Sequence, residues 1–343
     1  MADYYVRANT NGASWTSVED AADNLDVIQE SGVLQSGDVV WYVSDRGDIT
    51  EYAGMTSIPA GVSLKSYSEN NIRPRVHLPP NGRFRTTGNN VIVSGIDFYK
   101  NGAEGEITYD FIEHSEARTN ITIDSCYFNV INSTPIGYGI YFTYQVLGMT
   151  ITNCVFNNMV IPVQMGASSS YVSTNLVFVN NTIYNCTTGV RVGKSTNAKV
   201  ENNIFCNNTV GVNIIGTLAG TVVMDYNLFH SCGTNYSDGR VGDHDKTKDP
   251  KFVSLISGME DFRIYKSSFG VKGVGPSLDA TIPDHGLDGV VRSGAITPMG
   301  AYATALDPQY HRNRERVKKE RRSYNDVMYS NYMARIQRRI LNS

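Results

Sequence analysis

Apolar and polar residues alternate along this chain in short bursts, not at helical spacing. The clearest are six eight-residue segments: Val91–Phe98, Ile121–Phe128, Met149–Phe156, Val177–Tyr184, Ala198–Phe205 and Val222–Phe229. Each is apolar at its first and third positions, as expected of a strand with one buried face. Each then passes through a turn rich in Asn, Cys and Gly and closes on an aromatic ring. A second short strand follows in four of them, at Gly139–Phe142, Ile161–Val163, Gly189–Val192 and Gly211–Ile214. The closing aromatics recur at intervals of 30, 28, 28, 21 and 24 residues.

A strand–turn–strand unit of that size cannot bury its own apolar face. Stacking the units buries all of them in one column, each strand parallel to its equivalent ~4.8 Å away. The bias of parallel crossovers makes the stack right-handed. The predicted fold is therefore all-β: a right-handed parallel β-helix over residues 34–303. Residues 1–33 supply an N-terminal strand and a capping helix, and residues 304–343 a basic helical tail.

The turns and rings predict internal columns. Asn153, Asn181 and Asn202 align at one turn position, with Asn203 and Asn227 at the next. Asn tolerates left-handed backbone, and its stacked amides can bond along a column. Phe98, Phe128, Phe156, Tyr184, Phe205 and Phe229 are expected to stack inside. Cys126, Cys154, Cys186, Cys206 and Cys232 lie close to those rings. Their odd number and lack of metal-site spacing mark them as small buried fillers made in a reducing cytoplasm. No basic-then-apolar leader opens the sequence, and no apolar run is long enough to cross a membrane as a helix.

A solenoid needs caps. Thr16-Ser-Val-Glu19 reads as a capping box, followed at helical spacing by Val18, Ala21, Ala22, Leu25 and Ile28, with Gly32 as the stop. The opening segments Tyr4–Arg7, Thr10–Trp15, Gly37–Val40 and Ile58–Leu64 resemble the start of pectate-lyase-like β-helix proteins. The segments Asp249–Phe252, Asp261–Ile264 and Met299–Tyr302 resemble their close. The resemblance spans roughly residues 1–303. It implies the fold and little about chemistry, because that scaffold carries lyases, hydrolases, adhesins and virus spikes.

The tail departs from that pattern. Net charge is −3, but residues 308–343 hold ten Lys/Arg and three Asp/Glu, or +7, leaving −10 for the rest. Arg312, Arg314, Arg316, Lys318, Lys319, Arg321 and Arg322 form a basic arm. Val327, Met328, Tyr332, Ile336 and Ile340 follow at helical spacing. This reads as a docking segment that anchors the chain to a larger assembly. Nucleic acid is disfavoured as its partner, because no aromatics interleave with the basic run and the body is acidic.

Candidate chemistry is sparse. The outward position before the Asn turn reads Ser94, Asp124, Thr152, Asn180, Glu201, Asp225. Glu201 and Asp225 on neighbouring coils would sit ~5 Å apart, near the separation of a retaining glycosidase pair, with Lys199 on the same face. These are fallback catalytic candidates, since polar residues are expected on any outward face. Asp238, Asp243, Asp245 and Asp249 crowd one loop, but at no calcium-loop spacing. No metal site or cofactor motif is present. Tyr138, Tyr141, Tyr144 and Tyr171 lie on the second-strand side, where exposed rings could bind surface glycans. Two readings remain. One is a structural or adhesive virion component of a bacteriophage, in head or tail, anchored by its tail and open to self-association. The alternative is a polysaccharide lyase or glycoside hydrolase.

Overall fold

The computed structural model describes residues 1–306, except 9, 11, 46–47, 52–54, 68–72, 102–109, 115, 132–134, 136, 143, 167–170, 257–259, 266–271, 276–277, 293, 295 and 304. Three parallel sheets run the length of a β-helix. Sheet A has nine strands, from Asp3–Arg7 through Arg118–Asp124, Val146–Thr152, Ser173–Val179 and Ser195–Glu201 to Leu218–Asp225. Sheet B has eight, including Asp97–Asn101, Tyr127–Ile131, Val155–Asn157, Thr182–Tyr184, Ile204–Cys206 and Leu228–His230. Sheet C also has eight, including Phe84–Thr86, Asp110–His114, Tyr138–Phe142, Ile161–Met165, Thr188–Val192, Val210–Ile214 and Thr234–Tyr236.

Each coil thus carries three strands where the pattern predicted two. The reason is a single left-handed residue that splits the eight-residue bursts between sheets A and B: Gly95, Ser125, Asn153, Asn180, Asn202 and Tyr226 all have φ between 52° and 78°. Five of these are not glycine, and the two-residue corner they make is too tight to show as a break in the hydrophobic pattern.

One coil sits differently from its expected alignment. Ile151 pairs with Phe178, and Phe156 with Ile183. Asn180, not Asn181, therefore stands in the column of Asn153 and Asn202, and Val179, not Asn180, in that of Glu201. A one-residue slip changes the face of every side chain in a strand. Tyr184 accordingly faces outward, and Ile183 takes its place between Phe156 and Phe205. Phe178, arriving from sheet A, bridges the gap in the ring stack at 6.3 Å from Phe156 and 6.5 Å from Phe205. On either side the rings stack directly: Phe98–Phe128 at 5.2 Å, Phe128–Phe156 at 5.0 Å and Phe205–Phe229 at 5.2 Å. Gly189 and Gly211 make room for them; a Cβ there would lie 2.6 Å and 2.5 Å from the rings of Phe205 and Phe229.

Beside the rings runs a buried amide ladder of Asn181, Asn203 and Asn227. The backbone N–H groups of Cys154, Asn181 and Asn203 donate to the Oδ1 atoms of Asn181, Asn203 and Asn227 at 2.9, 2.9 and 3.1 Å. Their Nδ2 atoms donate to the carbonyls of Ile151, Phe178 and Val200 at 3.0, 2.9 and 2.8 Å. Such full satisfaction is what lets polar groups sit in a dry core. Cys126, Cys154 and Cys186 are buried in the same core; Cys206 is buried on the outside of sheet B, and Cys232 is half-buried.

The cap differs from expectation. The only helix among the described residues is Leu25–Glu30, N-capped by Asn24, with Leu25 and Ile28 plugging the first coil. Thr16–Glu19 is not helical. Asp20 instead accepts the N–H groups of Ala13, Ser14 and Trp15, a local competition with helix that Ser and Asp favour. The buried Glu51 accepts the N–H of Leu25 and the hydroxyl of Tyr42, and burial raises its carboxyl to about 8.

The described residues between 252 and 306 leave the solenoid and fold back over it. Phe252 and Phe262 pack on Tyr127, Tyr184 and Val155, while Ile264 and Met299 pack on Ile204, Cys206 and Leu228. This closing segment hides the outside of sheet B in the later coils. Residues 307–343, with the basic arm and the five apolar positions assigned to docking, lie outside the described residues.

Candidate functional site on sheet C

The Glu201–Asp225 pair is where the register expectation put it, on adjacent strands. Its surroundings are not those of an open site. Lys199, 3.8 Å from Glu201, reaches Asp279 at 2.5 Å and Thr281 at 2.8 Å in the closing segment. Glu201 is only 4% exposed, and burial, with Asp279 and Asp225 nearby, pushes its carboxyl up to about 7 against the pull of Lys199. Burial also acts on Asp225, but hydrogen bonds from the His244 ring and backbone N–H, both 2.7 Å, outweigh it and hold the carboxyl below its usual range.

The outer amides of the A–B corner are likewise engaged. Asn202 exchanges two hydrogen bonds with the backbone of Val274, at 2.7 and 3.0 Å. Asn180 donates to Pro298 and Gly300, and Arg292 bonds Asn153 at 2.5 Å. The corner is a seat for the chain's own closing segment. Asp238 is paired with Arg240, and Asp245 accepts from Tyr236 and from the backbone of Asn227 and Gly242. No group of three or more metal-ligating side chains occurs among the described residues.

Sheet C presents a different surface. Along it one outward position runs through successive coils as Arg85, Glu113, Tyr141, Gln164, Arg191 and Asn213, each paired in register with the next. Five steps of ~4.8 Å make a row of roughly 24 Å. Its members bond to one another. Glu113 accepts from Arg83 at 2.8 Å and Arg85 at 2.7 Å, and Arg191 donates to Gln164 at 3.2 Å. Tyr138 stacks on Tyr141 at 5.0 Å, and Tyr144 lies 5.5 Å from Tyr171 at the rim, both exposed. Burial raises the Tyr141 phenol, Arg191 opposes this, and Asp110 adds to it, so all three share one electrostatic neighbourhood.

Two further groups lie behind the row. Asp110 is raised to about 7 by burial and by the charge of Glu113, against the pull of Lys100 and Arg83. Lys100 is fully buried, donates to the Asp110 carbonyl at 2.9 Å and lies over the Phe111 ring at 4.9 Å. Burial lowers its ammonium to about 7. A carboxyl that titrates near neutrality beside a carboxylate fixed by two guanidinium groups is equipped to move a proton.

Sequence reasoning placed Tyr138 and Tyr141 on this side, but did not join them with Arg191 into a row. The signal was available. Each row member directly follows an inward aliphatic or aromatic residue: Phe84, Ile112, Ile140, Val163, Val190 and Val212.

No family model matches the chain, and no curated protein matches it. Among the solved structures similar to it are two lyases. A rhamnogalacturonan lyase is 12% identical with a TM-score of 0.38, covering 68% of this chain and 68% of that one. Pectate lyase Pel9A is also 12% identical with a TM-score of 0.38, covering 90% of this chain and 97% of that one. The parallel β-helix stands on the strand order and registers above, and these likenesses carry nothing about chemistry.

Proposed function

We propose that this protein binds an extended polysaccharide along the outer face of sheet C. The observation that carries the proposal is the in-register row from Arg85 to Asn213, half-buried at every position but the buried Gln164, with tyrosine rings inside it and at its rim. Sugar rings present apolar C–H faces to aromatic rings and hydroxyls to planar amide and guanidinium groups. A solenoid repeats such groups at one fixed step, which suits a polymer better than a small molecule. The test is migration of the native protein through gels cast with polysaccharides of differing backbone. Retardation by at least one of them is expected, and equal mobility in all would count against the proposal.

A second reading, cleavage of the bound chain, is favoured by Asp110. Asp110 is 5% exposed, so the bound chain would have to reach it between row members; its carboxyl would then give a proton to the departing glycosidic oxygen, and water, adding its hydroxyl to the sugar carbon, would return a proton to the Asp110 carboxylate. New reducing ends should then appear in the wild type and not in Asp110→Asn. Attachment of the protein to a virion through residues 308–343 rests on the sequence of that segment alone.

A further inference from the structure

The corner that joins sheet C to sheet A carries a second amide column, on the outside of the solenoid. At the start of successive sheet A strands one residue is left-handed: Asn90, Asn120, Gly148, Asn175, Asn197 and Gly220 have φ between 53° and 84°. Asn and Gly enter that region most readily, which accounts for both residue types. The four asparagines are exposed, and they bond in two pairs. Asn120 Nδ2 donates to Asn90 Oδ1 at 2.9 Å, and Asn197 Nδ2 donates to Asn175 Oδ1 at 3.2 Å.

Gly148 breaks the column between those pairs. Leu147 pairs with Thr119 on one side and Thr174 on the other, so Asn120, Gly148 and Asn175 stand in three successive coils. Two steps of ~4.8 Å therefore separate the two amides. The three atoms nearest a Cβ on Gly148 would all belong to Asn120, with Oδ1 at 3.0 Å and backbone atoms at 3.8 and 3.9 Å. Asn120 thus spends its donor on the coil before and turns Oδ1 to the gap. Asn175 spends its acceptor on the coil after and keeps Nδ2. Among the described residues no hydrogen bond engages either of these two remaining groups.

The gap adjoins the sheet C site. Tyr144 precedes Gly148 by four residues and Tyr171 precedes Asn175 by four; their rings, 39% and 47% exposed, lie 5.5 Å apart. Seven residues of chain join Tyr141 of the row to Gly148, at most about 25 Å even if extended. The residues at the gap are uncharged: Thr119, Asn120, Leu147, Gly148, Thr174 and Asn175. A free acceptor and a free donor on either side of it suit sugar hydroxyls, and exposed rings suit sugar C–H faces. A carboxylated sugar would find no counter-ion there, on a body whose net charge is negative.

We propose that the gap at Gly148 seats an uncharged side branch of the polysaccharide whose backbone lies on the sheet C row, so that the ligand is a branched glycan. This rests on the sheet C reading and narrows it.

The test is retardation in native gels cast with galactomannans of high and low branching, with arabinan before and after debranching, and with unbranched polygalacturonate. The wild type should bind the more branched member of at least one pair at least fivefold more tightly. Gly148→Asn completes the amide column in a conformation that Asn already holds at 120 and 175. It should abolish that preference, keep the affinity for the less branched member and leave the thermal midpoint no lower. Asn175→Gly, which keeps the left-handed backbone and removes the donor, should also abolish the preference. Equal wild-type affinity for both members of each pair, or retardation by polygalacturonate alone, would overturn the inference and leave the sheet C reading in place. So would a preference that survives in both variants. Retardation by no polysaccharide would remove the sheet C reading and this inference together.

Discussion

His285 Nε2 meets Asp124 Oδ2 at 3.0 Å, joining the closing segment to the end of the sheet A strand Arg118–Asp124 across 161 positions of sequence. The Asp124 hydrogen bond, helped by Asp284 and opposed by burial, raises His285 to about 9. Asp124 feels burial most, yet hydrogen bonds from His285, Thr152 and Asn153 keep its carboxyl below the usual value. His285 gains its partner on folding, so its contribution is complete below the unfolded imidazole pKa of about 6.5 and is lost as pH rises through about 9. Asp124 contributes above about 4 and loses that contribution as pH falls through its lowered value. Thermal stability of the wild type should therefore decline between pH 7 and 9. In His285→Ala that part of the decline should vanish. An equal slope in both proteins would show that the contact does not hold the closing segment.

Phe178 fills the place that a ring from sheet B occupies in other coils. Phe178→Ala should open a cavity beside Phe156 and Phe205 and cost about 3–5 kcal/mol in denaturant unfolding. A loss below about 1 kcal/mol would mean that the stack is not continuous through this coil.

The amide ladder gives a second stability measure. In Asn203→Ala the N–H of Asn181 loses its acceptor and the Phe178 carbonyl loses a donor, while Asn227 Oδ1 keeps the backbone N–H of residue 203. Buried groups left unsatisfied cost about 1–3 kcal/mol each. The same substitution at Asn89, whose exposed Oδ1 accepts the N–H of Thr119, should cost under about 1 kcal/mol. Equal losses at the two sites would remove the ladder's special standing.

Burial raises the thiols of Cys154, Cys186, Cys206 and Cys232 above their ordinary range, so thiolate is scarce at neutral pH. Native protein should react slowly with a thiol reagent, Cys232 first, and unfolded protein should release all five equivalents. Rapid native labelling of Cys126 or Cys154 would contradict their place in the core.

The repeat was legible because strands that stack must repeat their inward residues, and Val91–Phe98, Ile121–Phe128 and Met149–Phe156 do so in phase. The phase was lost at Leu176-Val-Phe-Val179, where four apolar residues in a row give no parity. Only backbone pairing shows that Phe178 points in. The corner acids Glu201 and Asp225 were found because they stand out as charges in a strand. That Glu201 lies beside Asp279 of the closing segment, and that Asp225 holds His244, was not readable, since Asp279 lies far off in sequence and His244 in a loop. The sheet C row was hidden for a plainer reason. Its members share an outward position but no residue type, so composition gives no sign of it.

The account turns on which outer face meets the polysaccharide. Binding by gel retardation should be measured for Tyr141→Ala and Arg191→Ala on sheet C, and for Glu201→Gln and Asp225→Asn on sheet A, each checked for an unchanged circular dichroism spectrum. The account predicts at least a tenfold weaker affinity for each sheet C variant and wild-type affinity for both sheet A variants. Full binding by Tyr141→Ala and Arg191→Ala, with loss in Glu201→Gln or Asp225→Asn, would contradict it.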